Sequence, residues 1–93
     1  MRILLAEDDF VTRKFMMNFL SSYGECDAAV DGMEAVDAYL MALEDGEPYD
    51  LACLDIMMPV MDGYQVLRSI RDLEADHGIP EEEQVKVIMT TAL

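Results

Sequence analysis

The sequence predicts an α/β protein built on a parallel sheet, and three observations carry that expectation. Short apolar runs at residues 3–6 and 51–54 lack alternation and stop abruptly at acid, as strands buried on both faces do. The segments between them switch to a helical period. Strand-like and helix-like segments alternate as β-α-β-α-β-α-β, which implies parallel strands joined by right-handed crossovers.

The first strand, residues 3–6, ends at Glu7-Asp8-Asp9. A helix is predicted over residues 11–23, because Met16, Phe19, Leu20 and Tyr23 fall at i, i+3, i+4 and i+7. Gly24 is placed to cap it. A weaker second strand spans 26–30. Asp31 suits an N-cap for a helix over 33–43 whose inner face carries Val36, Tyr39, Leu40 and Leu43. The run 44–48, with Gly46 and Pro48, breaks it. The third strand, 51–54, ends at Asp55. Met58-Pro59 and Asp62-Gly63 mark a loop, and a helix over 64–76 shows Leu67, Ile70 and Leu73 on one face. Residues 76–83 read as an exposed connection. The fourth strand is predicted at 85–89, and residues 90–93 close the chain.

Ninety-three residues allow one domain, residues 1–93. With 53% hydrophobic residues the chain can build a core, although a chain this short buries a modest share of its surface and its stability is expected to be thin. Twenty acidic residues against six basic ones give a formal net charge of −14. Such a surface repels nucleic-acid phosphates and anionic membranes, so neither is an expected partner; for most of these acids the plain role is solubility. Two cysteines, Cys26 and Cys53, are too few for a disulfide framework and read as free thiols in a reducing compartment. The apolar run at the start reaches acid at Glu7, too soon for a signal peptide, and no stretch has membrane-spanning length. A cytoplasmic location is the expectation. The nine methionines read as core filler.

In open parallel sheets, ligands bind beyond the carboxyl ends of the strands, where the strand order reverses. Glu7 and Asp8 lie just past strand one, Asp55 ends strand three and Thr91 ends strand four. Carboxylates converging there without a nearby Lys or Arg repel one another, so either one keeps a proton or a cation binds. An all-oxygen ligand set favours a hard divalent ion, Mg²⁺ or Mn²⁺. A carboxylate beside such an ion can attack phosphorus and form an aspartyl phosphate, with the Thr91 hydroxyl bonding a phosphoryl oxygen. Taken singly, each residue has a plainer use. A strand-end Asp caps helices, the Glu7-Asp8-Asp9 triplet complements a helix dipole, and Thr91 is an ordinary strand residue. Their joint placement on one rim is what points to chemistry.

Four segments carry a resemblance. Residues 3–13, ILLAEDDFVTR, are similar to the opening strand, acidic pair and helix start of response regulator receiver domains. Residues 31–35, DGMEA, are similar to their second-helix entry. Residues 50–63, DLACLDIMMPVMDG, resemble their phosphoacceptor signature, and residues 87–92, VIMTTA, the fourth strand with its switch hydroxyl. The resemblance implies the flavodoxin-like three-layer receiver fold with strand order 2-1-3-4(-5). It implies Asp55 as phosphoacceptor, and Glu7, Asp8, Asp55 and the Met57 backbone carbonyl as metal ligands. Thr91 becomes the switch hydroxyl, and a sensor histidine kinase or phosphotransfer protein the phosphoryl donor. Glu7 and Asp8, rather than Asp9, match the acidic pair because Arg13 then keeps the family's spacing. Pro59 and Gly63 shape the loop beside Asp55, Gly63 through its backbone tolerance.

Two departures accompany the resemblance. Family members continue through a fourth helix, a fifth strand bearing a Lys and an aromatic switch residue, and a fifth helix. None of these is in this chain, so residues 1–93 read as a C-terminally incomplete receiver domain. Lys86, before the rim on strand four, does not match that Lys. The connection around residues 75–84 is also longer than usual, as a surface insertion at little cost. Without a fifth strand, strand four is expected to be an open edge prone to self-association. Two alternatives stand beside the phosphoacceptor reading. One is a pseudo-receiver or interaction module that takes no phosphate. The other is a haloacid dehalogenase type phosphohydrolase, which needs an Asp where this chain has Met57.

Overall fold

The computed structural model describes residues 1–91. Its elements run β1 (Arg2–Ala6), α1 (Phe10–Leu20), β2 (Glu25–Ala29), α2 (Gly32–Glu44), β3 (Leu51–Asp55), α3 (Gly63–Asp76), a single 3-10 turn (Glu81–Glu83) and β4 (Lys86–Thr90). All strand pairs are parallel, in the order β2-β1-β3-β4. The order reverses between β1 and β3, so their carboxyl ends flank the crevice where such sheets place ligands.

Alternation along the strands divides the core between two faces. Leu4, Ala6, Ala52 and Leu54 face α2 and α3 and pack with Ala35, Tyr39, Ala42, Val66 and Ile70. Ile3, Leu5 and Cys53 face α1 and pack with Leu20, Met16 and Met17. Residues 3–6 and 51–54 are therefore apolar on both faces, as their continuous runs foretold.

The expected helix faces need correction. α1 stops at Leu20, and a turn bonded Ser21 N–H to Met17 O and Tyr23 N–H to Leu20 O follows. It turns Leu20, Met16 and Met17 inward, while Phe19 and Tyr23 are exposed and pack edge-to-face on each other at 5.4 Å. α1 is apolar on two sides, and periodicity alone does not choose between them. Gly24 does not cap α1. A Cβ there would collide with the Met1 carbonyl oxygen, where β2 begins against the amino terminus. α2 is capped by Asp31, which accepts from the Glu34 N–H at 2.8 Å, but Ala35, Tyr39 and Ala42 form its buried line, with Val36, Leu40 and Leu43 half-buried. The small alanines let the helix lie close to the sheet. α3 starts with a capping box between Asp62 and Gln65 and buries Val66, Ile70 and, unexpectedly, Glu74. The connection after α3 is not a free insertion, because Ile79 N–H and Val85 N–H both bond to Glu74. Residues 92 and 93, the end of the predicted closing segment, lie outside the described residues.

One backbone outlier falls beside the third strand. Val60 has φ 68°, a left-handed conformation that a β-branched residue adopts only under strain. Its side chain is 98% exposed, so no packing holds it there. Val60→Gly is therefore expected to raise the unfolding free energy by about 0.5–1 kcal/mol, the relief of strain exceeding the added freedom of the unfolded chain. Urea melts of the two proteins check this, and a destabilised glycine variant would refute it.

Candidate functional site

β1 and β3 pair in the register Ile3↔Leu51 through Ala6↔Leu54, so both end at the same height. Glu7 follows the end of β1, its N–H bonded to the Ala29 carbonyl at 3.1 Å, and Asp55 is the last residue of β3. This geometry gathers Glu7, Asp8 and Asp55, whose nearest carboxylate oxygens all lie within 4.8 Å of one another. Glu7 and Asp55 are nearly buried, at 7% and 6% exposure, and Asp8 is exposed.

Asp9 is used differently. It caps α1, accepting the Thr12 N–H at 2.8 Å, and that bond holds its carboxyl below the usual range. Arg13 reaches back to the carbonyl oxygens of Glu7 and Asp8 at 2.9 and 3.3 Å, not to their carboxylates. Among the described residues the ion pairs are Arg2–Asp27 and Arg71–Glu74, both away from the cluster. The three carboxylates thus face each other without a compensating side chain. Burial and the neighbouring carboxylates of Asp55 and Asp8, opposed by a bond from the Asp9 N–H, push the Glu7 carboxyl up to about 7.

The loop after β3 fixes Asp55. The Met57 N–H donates to Asp55 Oδ1 at 3.1 Å and so orients the carboxylate. Ile56 N–H bonds to the Thr90 carbonyl at 2.9 Å, and Gly63 N–H bonds to the Ile56 carbonyl at 3.2 Å. Gly63 serves here by size. A Cβ would stand 2.5 Å from the Asp55 carbonyl oxygen, whereas the left-handed backbone of this loop falls on Val60. Thr91, one residue past β4, lines a cavity of about 150 Å³ with Glu7, Thr12, Met16 and Thr90. Thr90, passed over in the sequence, stands opposite Asp55 in the register; the adjacent threonines at a strand end were the available signal. Lys86 pairs with Leu51 at the other end of the strands, remote from the cluster.

The donor set suits a hard divalent ion. All three side chains offer oxygen, and oxygens around one such ion at about 2.0–2.6 Å lie at most about 4–5 Å apart, which the cluster satisfies.

These features define a doubly wound α/β module with an acidic crevice at its switch point. A family model for the response regulator receiver domain matches residues 3–93, and the chain belongs to that family. It is 34% identical over 92 residues to hybrid signal transduction histidine kinase L of Dictyostelium discoideum, covering 98% of this chain and 5% of that protein. Among solved structures, the receiver domain of the histidine kinase CKI1 from Arabidopsis thaliana, complexed with Mg²⁺ and BeF₃⁻, superposes with a TM-score of 0.82 at 29% identity, over 97% of this chain and 64% of that one. CheY in the CheX–CheY–BeF₃–Mg²⁺ complex from Borrelia burgdorferi gives 0.77 at 32% identity, over 99% and 62%. The chain therefore spans under a tenth of the curated relatives and just under two thirds of these solved chains.

The raised Glu7 carboxyl has a consequence for stability. The folded state binds this proton more tightly than the unfolded chain, so stability falls as pH rises from about 4.5 to about 7. Melting curves without divalent ions are expected to show this decline, and Glu7→Gln to flatten it. An unchanged slope in Glu7→Gln would show that the cluster does not hold the proton.

Proposed function

We propose that this chain is the phosphoacceptor module of a two-component system, receiving a phosphoryl group on Asp55 beside a bound Mg²⁺ or Mn²⁺. The observation that carries this reading is the meeting of Glu7, Asp8 and Asp55 at one strand-end crevice with no cationic side chain among them. Crystals of relatives with Mg²⁺ and BeF₃⁻ support it. Glu7 and Asp8, Asp55 itself and the Met57 carbonyl hold the metal. When bound, the ion offsets the negative charge of the transferring group.

The chain's own residues do the rest by positioning. Met57 N–H holds Asp55 Oδ1, so the carboxylate presents an oriented oxygen to phosphorus. The donor's N–P bond breaks as the Asp55 O–P bond forms, and the leaving imidazole takes a proton from solvent. The Thr91 hydroxyl donates to a phosphoryl oxygen once the acyl phosphate exists. The module assists its own phosphorylation and is not a turnover enzyme. Its partner is a sensor histidine kinase or phosphotransfer protein, for which exposed Phe10, Val11 and Phe15 on α1 offer apolar footing beside the site. The unpaired thiols Cys26 and Cys53 support work in the cytoplasm, and no described helix is long and apolar enough to cross a membrane.

Two measurements test this reading. With a small phosphodonor and a divalent ion, the protein is expected to gain acid-stable, hydroxylamine-sensitive phosphate that Asp55→Asn abolishes. Phosphate mapped elsewhere, or none under any donor, would favour a pseudo-receiver that only binds partners. In metal titrations Asp8→Asn is expected to weaken binding at least about tenfold and Asp9→Asn far less; equal effects would shift the acidic pair by one residue.

We also propose that the 93-residue chain self-associates through β4. Among the described residues β4 has a strand neighbour only in β3, and its segment carries one charge, Lys86, whereas the β2 edge is guarded by Glu25 and Asp27. Beside it, Met1, Phe19, Leu20, Tyr23, Leu51 and Ile88 line an apolar cleft of about 290 Å³. Sedimentation is expected to show dimers or larger species at micromolar concentration. A compact monomer with a sharp melt at every concentration would refute this.

A further inference from the structure

Glu74 is the one charged side chain at 0% exposure among the described residues, and the site does not contain it. On the last turns of α3, its Oε2 accepts from Tyr39 Oη of α2 at 2.6 Å and from the Val85 N–H at 2.7 Å. Its Oε1 accepts from Arg71 at 2.7 Å. One carboxylate therefore ties α2, α3 and the residue that leads into β4. Burial and the adjoining Glu74 carboxylate push the Tyr39 phenol well above its ordinary range, so it remains a donor.

A buried carboxylate is costly unless paired and hydrogen-bonded, and an apolar residue would fill the same volume more cheaply. What an apolar residue cannot do is accept the Val85 N–H. That bond matters because the β3–β4 ladder is repetitive. Val85, Val87 and Met89 all pack on the α2–α3 face, so a two-residue slip would leave similar side chains in the core. The same slip would move the site end of β4 by about 6–7 Å. In the observed register Thr90 stands opposite Asp55, and Thr90 and Thr91 line the cavity with Glu7.

We propose that Glu74 is a positioning residue: by holding the Val85 N–H it fixes the register of β4, and so sets where Thr90 and Thr91 stand relative to Asp55. The consequence for phosphorylation rests on the phosphoacceptor reading of Asp55; the consequence for the strand does not.

Three variants of the chain test it. In Glu74→Leu with Tyr39→Phe, the charge and the orphaned hydroxyl leave together, and a cooperative melt is expected to survive. Glu74→Gln keeps an oxygen for Val85, and Tyr39→Phe alone leaves the Glu74–Val85 bond intact. Hydrogen exchange, Mg²⁺ titration and the rate of phosphorylation by a small phosphodonor at saturating Mg²⁺ are measured on each. In the apolar pair, amide protection over β4 is expected to fall about tenfold or more, and the phosphorylation rate about tenfold. Mg²⁺ affinity is expected to hold within about twofold, because its ligands stand at the ends of β1 and β3. Glu74→Gln and Tyr39→Phe are expected to stay within about threefold of the parent in β4 protection and rate. Unchanged β4 protection in the apolar pair, or a loss in Tyr39→Phe as large as in the pair, overturns the proposal. So does failure of Glu74→Gln to restore protection and rate, which also decides the matter if the apolar pair does not fold. If the parent protein takes no phosphate, the phosphoacceptor reading fails, while hydrogen exchange still decides the register claim.

Discussion

The pairing of β1 with β3 is the constraint on which the rest of the molecule depends. It joins the two most deeply buried strands, Ile3 to Ala6 against Leu51 to Leu54, residue for residue. Because the strands are parallel, the chain past both must emerge on the same rim. Because they flank the point where strand order reverses, no crossover helix covers that rim. Glu7, Asp8 and Asp55 thus meet through backbone register, and nothing in their own chemistry favours the meeting. At neutral pH the cluster is a cost that the hydrophobic pairing beneath it offsets. Burying an aliphatic side chain is worth roughly 1.5–3 kcal/mol, and seven apolar positions are buried in these two strands, two of them the smaller alanine and one Cys53.

The two faces of the sheet are not equivalent. The α2–α3 face is closed by alanines that admit close helix contact and by the Glu74 network. The α1 face is covered by one helix, and Phe19, Tyr23 and Ile88 border an apolar cleft there. Close packing and apolar exposure are therefore segregated, the first on the α2–α3 face and the second on the α1 face beside Ile88.

Strand and helix order, the parallel sheet and the acidic rim were legible in the sequence because each has a local signature. Continuous apolar runs ending in acid announce buried parallel strands, and Asp31 announces a helix start. Asp55, Pro59 and Gly63 form a motif specific enough to point to the site. The misreadings share a cause, since each depends on what lies across space. Phe19 and Leu20 are equally apolar, and only the position of α1 over β1 decides which is buried. Gly63 read as a backbone requirement is a steric one, set by the Asp55 carbonyl. Glu74 looked like one more solvated acid among twenty; its burial follows from Tyr39 thirty-five residues away and Val85 eleven away.

That last contrast bears on how acid is used in this chain. A net charge of −14 spread over a small surface favours expansion, so every carboxylate drawn inward adds to a repulsion already present. The fold draws in three, Glu7, Asp55 and Glu74, and treats them in opposite ways. Glu74 accepts from Tyr39, Arg71 and the Val85 N–H and is fully buried, so its oxygens are paired and out of a ligand's reach. Glu7 and Asp55 accept backbone N–H bonds from Asp9 and Met57, and they face Asp8. Full pairing suits the first to a structural joint, whereas deficit suits the second pair to a cation. A cation entering the crevice relieves a repulsion that no Lys or Arg ion pair relieves among the described residues. The same argument explains why the deficit sits at the strand ends. Anywhere deeper, the unpaired charge would have no path to solvent or to an ion, and the strands could not have formed around it.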